Sequence, residues 1–199
     1  MSITNFLNNR GFHAFEGHSQ QIQQQVYDLI NLTSKPNINV MEIGFNAGHS
    51  AEVFLHSNKN LTLTSFDLGI HDYVKVAKEY IDFIYPNRHQ LILGDSRTTI
   101  PIYIQNNKNT KFDVIFIDGG HEYEMSKSDI ENCFHLAHEN TIVAMDDIVF
   151  TYGWEKEHTI GPTKTWKEQL EQNKIVEFCR REYCDGRGMS WGKYKTLCK

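Results

Sequence analysis

From residue 38 onward, short apolar segments alternate with amphipathic ones, and this alternation constrains the fold more than any other feature of the chain. Five of the apolar segments are typical of strands: 38–43, 61–66, 90–93, 112–117 and 141–145. Helical patterns lie between or after them, at 49–55, 73–85, from 96 onward, at 122–138 and at 166–172. Short apolar strands separated by helices predict a mainly parallel sheet that is covered on both faces.

The C-terminal region adds two strands and requires a change of direction. Segments 175–179 and 189–194 are typical of strands, and the link between them is too short for a crossover helix, so one strand must be antiparallel. We predict an α/β fold, a doubly wound, mainly parallel seven-stranded sheet with one antiparallel strand and helices on both faces. Residues 1–199 would form a single domain, with residues 1–35 as an N-terminal helical extension.

Composition argues against several classes of protein. The 199 residues carry a net charge of −5, so no global basic field would recruit nucleic acid or an anionic membrane. No apolar segment reaches the roughly 18 residues that a membrane helix needs, and the N-terminal region lacks the apolar core of a signal peptide. The four cysteines fit no zinc motif, so we expect reduced thiols in a cytoplasmic protein.

Ligands of such folds bind beyond the carboxyl ends of the strands, so the residues that follow each strand matter most. The first strand leads into EIGFNAGHS, where Gly44 and Gly48 would let a ligand approach the backbone. A dinucleotide-binding loop is disfavoured, because Asn46 and His49 stand where that motif has glycines. A phosphate loop is disfavoured too, because no Gly-Lys-Ser/Thr sequence follows.

Acidic residues follow the second and third strands. Asp67, in SFDLG, is placed where an acid commonly accepts hydrogen bonds from both hydroxyls of a ribose, and a turn cap is the alternative. Asp95 and Ser96, in LGDS, could contact the edge of an adenine or simply cap the next helix.

Three more acids follow the fourth and fifth strands. Asp118 comes after the fourth strand, and Asp146 and Asp147 come after the fifth. Neighbouring strand ends would bring these carboxylates together, where they would repel one another unless a divalent cation such as Mg²⁺ were bound. His121 lies three residues after Asp118, and a ligand, a base and a structural role are all open for it; an imidazole, whose ordinary pKa is about 6.5, suits proton abstraction.

Together these motifs resemble the class I S-adenosylmethionine-dependent methyltransferases, and more closely the small metal-dependent O-methyltransferases with an IDGxHxY signature. The resemblance covers roughly residues 40–170. MEIGFNAGHS is similar to the first motif of that family, FDVIFIDGGHEYEMSKSDI to its signature segment, AMDDI to its second acidic pair, and GPTKTWKEQL to the helix after its loop.

The resemblance implies a role for each residue singled out above. His121 would be the general base; catechol-type relatives have Lys at that place, which argues against a catechol substrate. A divalent cation, Mg²⁺ or a similar ion, would be bound by Asp118, Asp146 and Asp147. The residues that would bind S-adenosylmethionine are Glu42, Gly44, Asn46, Gly48, Ser50, Asp67, Asp95 and Ser96.

The expected reaction is methyl transfer to a hydroxyl of a sugar, a glycan or a glycosylated small molecule. A phenolic acceptor, a nucleic acid or cap acceptor, and a non-catalytic nucleoside-binding domain are the alternatives. The fourth strand ends in Asp-Gly-Gly-His, whereas amino-methylating relatives have a Pro-Pro-aromatic motif there. Tyr152 and Trp154, in the segment 149–162, are candidates to cover the acceptor. A homodimer is compatible with the resemblance.

Overall fold

The computed structural model describes residues 2–184 and 186–195, which fall into two compact units, one ending at Thr99 and the other beginning at Ile100. The described residues contain seven strands, which belong to one sheet and alternate with helices along the chain. The predicted fold class, a mostly parallel seven-stranded sheet with one antiparallel strand and flanking helices, is confirmed.

The first unit contains three parallel strands in the order β3-β2-β1. Its strands are β1 (Asn39–Ile43), β2 (Thr62–Asp67) and β3 (His89–Leu93), and its helices are α1 (Ile3–Asn8), α2 (Gln23–Leu32), α3 (His49–Ser57), α4 (Tyr73–Ile84) and the start of α5 (Ser96–Asn106). The buried side of α4 follows helical spacing, as an amphipathic helix on a sheet should. The residues on that side are Tyr73, Val74, Ala77, Tyr80 and Ile81.

The second unit contains four strands in the order β4-β5-β7-β6. They are β4 (Phe112–Ile117), β5 (Ala137–Asp146), β6 (Ile175–Cys184) and β7 (Arg187–Tyr194), and the helices are α6 (Tyr123–Phe134) and α7 (Glu157–Glu171). β4 and β5 are parallel, whereas β7 runs antiparallel to both β5 and β6. The apolar sequence of β4 is almost fully buried, which explains why it lacks a polar alternation.

Several element boundaries differ from the sequence prediction. The helix predicted at 122–138 ends at Phe134, and β5 begins three residues later. Leu136 is buried, and its carbonyl accepts a hydrogen bond from the amide of Phe112, so pairing with β4 replaces a further helical turn. The 3-10 turn Ser19–Gln21 precedes α2, and the N-terminal extension predicted at residues 1–35 is helical only in parts.

Part of the segment 149–162 is helical, because α7 already begins at Glu157. The hydroxyl of Thr159 accepts a hydrogen bond from the amide of Lys156 at 3.0 Å and caps the helix start. The Gly-Pro pair at 161 and 162 therefore lies inside a helix, where the sequence alone favours a break.

Two expectations about the whole chain concern thiols and membranes. Cys133, Cys179 and Cys184 are free cysteines, and Cys198 lies outside the described residues. Within the part of the chain that the structure describes, none of the helices combines the length and the apolar character needed to cross a membrane.

Candidate functional site

The turn between β1 and α3 has a left-handed backbone at three residues and is tied to the end of β2. The φ angles of Gly44, Asn46 and Gly48 are 95°, 48° and 77°. The amide of Asn46 donates to Oδ2 of Asp67 at 2.7 Å, and the amide of Gly44 donates to the carbonyl of Phe66 at 2.8 Å. Positive φ angles favour glycine and tolerate asparagine, so the residue types of this motif follow from its backbone.

Asp67 performs the turn-capping role that the sequence left open. Its Oδ2 accepts from the amide of Asn46 and its Oδ1 accepts from the amide of Gly69, each at 2.7 Å. A carboxylate has about four acceptor positions, so two backbone donors leave room for further donors such as ribose hydroxyls. The cap and the predicted ribose contact are therefore compatible.

The side chain of Asn46 contains a buried acceptor with no hydrogen-bond partner among the described residues. Its Nδ2 donates to Oε2 of Glu16 at 3.3 Å, whereas its Oδ1 has none. A buried oxygen left unpaired costs about 1–3 kcal/mol. Such an atom, beside a backbone opened by glycines, is suited to accept a hydrogen bond from a polar ligand.

Glu42 and Ser50 lie inside the first unit, where they link β1, β2 and α3. Glu42 is 0% exposed and accepts hydrogen bonds from the hydroxyls of Ser50 and Ser65. Burial raises the pKa of Glu42 to about 7; the two serine hydrogen bonds lower it, and the charge of Asp67 adds to the rise. These contacts place Glu42 behind the turn as a support, and its predicted contact with the cofactor stays a prediction.

Glu42→Gln should flatten the pH dependence of stability between about pH 4.5 and 7. The folded-state pKa of Glu42 lies above its ordinary value, so the native state binds the extra proton and the wild type loses stability as pH rises through this window. The loss is on the order of 3 kcal/mol, because one pKa unit corresponds to about 1.4 kcal/mol. Urea unfolding at pH 5, 6 and 7 measures it; parallel curves for both proteins would contradict the assignment.

Asp95 and Ser96 lie where β3 ends and α5 begins. The carboxylate of Asp95 accepts a hydrogen bond from Nη2 of Arg97 at 2.6 Å and another from the backbone amide of Arg97 at 2.9 Å. These hydrogen bonds hold the pKa of Asp95 below its usual range. The carbonyl of Asp95 accepts from the amides of Thr98 and Thr99. Asp95 thus caps α5, which is one of the two roles that the sequence left open.

The N-terminal segment lies against the start of α3. The ring of His18 stacks on His49 with centroids 3.6 Å apart, and the ring of Phe15 contacts both His49 and Tyr73 edge-on. Burial lowers the pKa of His49 to about 3, and the neighbouring His18 contributes. Glu16 bonds to Asn46, and the sequence held no signal for it, because an isolated acid in an irregular segment has no characteristic spacing.

Gly48→Ala should lower the thermal midpoint by several degrees. A Cβ at this left-handed position would lie 2.7 Å from Cδ1 of Ile3 and 3.0 Å from Cζ of Phe45. The backbone strain alone costs about 1–2 kcal/mol, and each kcal/mol shifts the midpoint by about 2–4 °C in a chain of this size. Gly11→Ala is the matched control, because its φ is +88° and nothing lies within 4 Å of its Cβ position. Equal shifts in calorimetry would show that packing at Gly48 is unimportant.

In the second unit, the ends of β4 and β5 bring two carboxylates and an imidazole together. Asp118, His121 and Asp147 each offer a ligand atom within 4.8 Å of the other two. Nε2 of His121 lies 3.1 Å from Oδ2 of Asp147. Asp147 is buried, whereas the side chain of His121 is about half exposed, so the cluster is accessible from its imidazole side. These groups fit a divalent cation, because carboxylate oxygens and imidazole nitrogens are its usual protein ligands.

Asp146 lines the same small cavity as this cluster but is not one of its three residues. It is the last residue of β5, whereas Asp147 follows the strand with a φ of 59°. Successive side chains of a strand point to opposite faces, and the left-handed residue changes the direction of the chain. The prediction that Asp146 binds the metal stays a prediction.

His158 of α7 also lies at the cluster and was missed in the sequence. Its Nε2 is 3.7 Å from Oδ1 of Asp147 and 3.2 Å from the carbonyl oxygen of Gly186, and its ring centroid is 5.7 Å from that of His121. Gly161 lets α7 approach closely, since a Cβ there would lie 2.1 Å from the carbonyl oxygen of His121. No local pattern in the sequence singled out His158, because its approach to the cluster depends on the packing of Gly161 against the backbone of His121.

The segment before α7 holds aromatic side chains at the surface. The ring of Phe150 is covered by the guanidinium of Arg180 at 3.3 Å, and its amide donates to Oε1 of Glu182 at 2.9 Å. Beyond this anchor, Tyr152 is 95% exposed and Trp154 is 36% exposed. Their surface position is compatible with the predicted contact to an acceptor.

Comparison with known families gives one match. A family model described as a methyltransferase domain matches residues 41–148, which is more than half of the chain. The match confirms the resemblance to methyltransferases that the motifs indicated. None of the curated proteins matches the chain.

Solved structures share the fold at low sequence identity. An O-methyltransferase from Bacillus cereus in complex with SAH has a TM-score of 0.73 and 15% identity, covering 97% of this chain and 89% of its own. SAH-bound PaMTH1 from Podospora anserina has a TM-score of 0.65 and 17% identity, covering 86% and 78%. CalS11, a TDP-rhamnose 3'-O-methyltransferase of calicheamicin biosynthesis, has a TM-score of 0.61 and 18% identity, covering 84% and 80%.

Proposed function

Because the chain belongs to the family of methyltransferase domains, we propose that it is an S-adenosylmethionine-dependent O-methyltransferase that requires a divalent cation. Its acceptor is a hydroxyl of a sugar, a glycan or a glycosylated small molecule. The observation that carries the proposal is the cluster of Asp118, His121 and Asp147, which unites cation ligands with a candidate proton acceptor. The proposal treats residues 1–199 as one methyltransferase domain with residues 1–35 as its helical extension.

Residues of the first unit bind the cofactor in this proposal. The unpartnered Oδ1 of Asn46 accepts a hydrogen bond from the ammonium group of the methionine portion, and Gly44 and Gly48 keep side chains away from it. Asp67 accepts from the ribose hydroxyls with its remaining acceptor positions. Asp95 and Ser96 lie beside the adenine, while Glu42 and Ser50 support the turn from within. SAH in two similar folds supports this choice of cofactor.

Residues of the second unit activate the acceptor hydroxyl. Asp118 and Asp147 hold the cation, with Asp146 in the lining of the same cavity. The cation supplies charge stabilisation for the acceptor oxygen as its proton leaves. His121 takes that proton, and the contact of Asp147 with its Nε2 holds the imidazole in position.

Two observations support a sugar hydroxyl as the acceptor. Tyr152 and Trp154 offer exposed aromatic surface five and seven residues after Asp147, and aromatic rings have the flat apolar faces on which a sugar ring can lie. The similar fold of CalS11, a TDP-rhamnose 3'-O-methyltransferase, supports a sugar hydroxyl as acceptor.

Binding and transfer assays test the proposal separately. In calorimetry, we expect S-adenosylhomocysteine to bind and NAD not to bind; the reverse result would contradict the cofactor. Tritiated S-adenosylmethionine should then label a pool of nucleotide sugars and glycosides, and EDTA should stop the labelling. Labelling of phenols or RNA alone would reassign the acceptor, and full activity in EDTA would remove the cation from the mechanism.

A further inference from the structure

We infer that the cation site contains imidazole nitrogens from both His121 and His158 as well as the carboxylates of Asp118 and Asp147, and that it takes Co²⁺ or Zn²⁺ in preference to Mg²⁺. The inference rests on the metal dependence within the proposed function and names the class of cation. It adds to that site a residue from α7, His158.

The distance from Asp147 to His121 falls within the range found around a single ion, and the distance to His158 is a few tenths of an ångström longer. Nε2 of His121 is 3.1 Å from one oxygen of Asp147, and Nε2 of His158 is 3.7 Å from the other. Two ligand atoms that are each about 2.1 Å from a transition-metal ion lie roughly 3.0–3.4 Å apart at octahedral or tetrahedral angles. Asp118, His121 and Asp147 already offer ligand atoms within 4.8 Å of one another. His158 lies outside that group and would join it by a rotation of its side chain toward Asp147.

The fold fixes the position of His158 although it lies 37 residues from His121 in the sequence. Gly161, one helical turn further along α7, packs against the backbone carbonyl of His121, and no larger residue could approach so closely. The Thr159 hydroxyl caps the same helix turn at Lys156. The imidazole is thus carried on a helix whose first turn is anchored beside the cluster.

The carbonyl of Gly186 orients the imidazole of His158. Its oxygen lies 3.2 Å from Nε2. Binding of an ion through Nε2 replaces this hydrogen bond, which contributes only about 1 kcal/mol. Loss of this hydrogen bond is therefore a small cost compared with the bond that a transition-metal ion forms with the imidazole nitrogen.

The donor set determines which cation is favoured. Imidazole nitrogen suits zinc, copper, iron and nickel, whereas Mg²⁺ prefers oxygen ligands and retains several waters. Two carboxylates also balance the charge of a divalent ion. The His121 imidazole would be one of the groups that hold the ion, and it would serve as the proton acceptor of the proposed reaction only when it is not bound to the ion.

Competition dialysis of the full chain tests the inference without relying on activity. After treatment with EDTA, the protein is dialysed against equal concentrations of Mg²⁺ and Co²⁺, and bound metal is measured by mass spectrometry together with the visible absorption of Co²⁺. We expect Co²⁺ to predominate. His158→Ala and His121→Ala should each weaken Co²⁺ binding by about 10–100-fold, change its absorption, and leave Mg²⁺ binding less affected.

His138→Ala is the matched control, because His138 also contacts a carboxylate, that of Asp113, at 3.2 Å. It should bind Co²⁺ like the wild type, and all variants should retain their thermal midpoints and their binding of S-adenosylhomocysteine. Unchanged Co²⁺ affinity and absorption in His158→Ala would overturn the inference while leaving metal-dependent methyl transfer intact. If neither cation binds the wild type, the metal dependence in the proposed function fails as well.

Discussion

Asp147→Asn should reduce turnover by at least about 10³-fold at any practical cation concentration, while the binding of S-adenosylhomocysteine stays unchanged. Asp147 is buried and contacts His121 and His158 through its two carboxylate oxygens. The substitution removes the charge that the cation requires. Loss of a cation's charge stabilisation costs several kcal/mol, and about 4 kcal/mol corresponds to 10³-fold.

Asparagine is chosen at this position because the backbone is left-handed, with a φ of 59°. Alanine would combine loss of the ligand with backbone strain, whereas asparagine tolerates this conformation. Asp113→Asn is the control, since it also removes a carboxylate that contacts a histidine, at the opposite end of β4 from Asp118. Single-turnover rates with a tritiated methyl donor give the measurement; comparable rates for the two variants would remove Asp147 from the mechanism.

His121→Gln should slow methyl transfer by about 10²–10⁴-fold, the usual contribution of a general base. Glutamine keeps much of the side-chain size and can still donate to Asp147, so the packing of the cluster is retained. The variant lacks an imidazole that can take the proton. The rate should be measured in single turnovers at saturating cation, so that weaker cation binding does not enter the result.

His138→Gln serves as the comparison, because this histidine also contacts a carboxylate but lies outside the cluster. We expect it to react at the wild-type rate. A His121→Gln rate within a few-fold of that value would assign His121 to cation binding or structure alone. A strong loss in His121→Gln with unchanged Co²⁺ affinity would instead separate proton transfer from cation binding.

The sequence predicted the elements that bury apolar side chains on both faces. The bounds of β4, Phe112–Ile117, coincide with its apolar segment. A short, continuous apolar segment is typical of a strand that is buried on both faces of a parallel sheet. The turn after β1 was also predictable, because glycine and asparagine are the residue types that most readily adopt the positive φ angles found there. The positions of Asp118 and Asp147 were predictable as well, because both are polar residues directly after buried apolar strands.

The sequence pattern predicted a helix at 166–172 and the resemblance extended it back to Gly161, but the first turn of α7, residues 157–160, was not predicted, because the Gly-Pro pair at 161 and 162 favours a break in the local sequence. In the folded chain, Gly161 instead packs against the backbone of His121, and this contact belongs to no local pattern. His158 therefore lay outside the helix that the sequence predicted. The same reason explains Glu16, whose contact with Asn46 joins an irregular segment to a turn thirty residues away.

The sequence by itself determined the order of strands and helices and the chemical types at the strand ends, because hydrophobic periodicity and backbone preference are local properties. Only the tertiary structure decided which side chains meet. It grouped His121 with Asp118 and Asp147, left Asp146 in the cavity lining, and added His158 from a helix 37 residues beyond His121. Distances of a few ångströms between such residues depend on packing across elements, and no spacing along the chain encodes them.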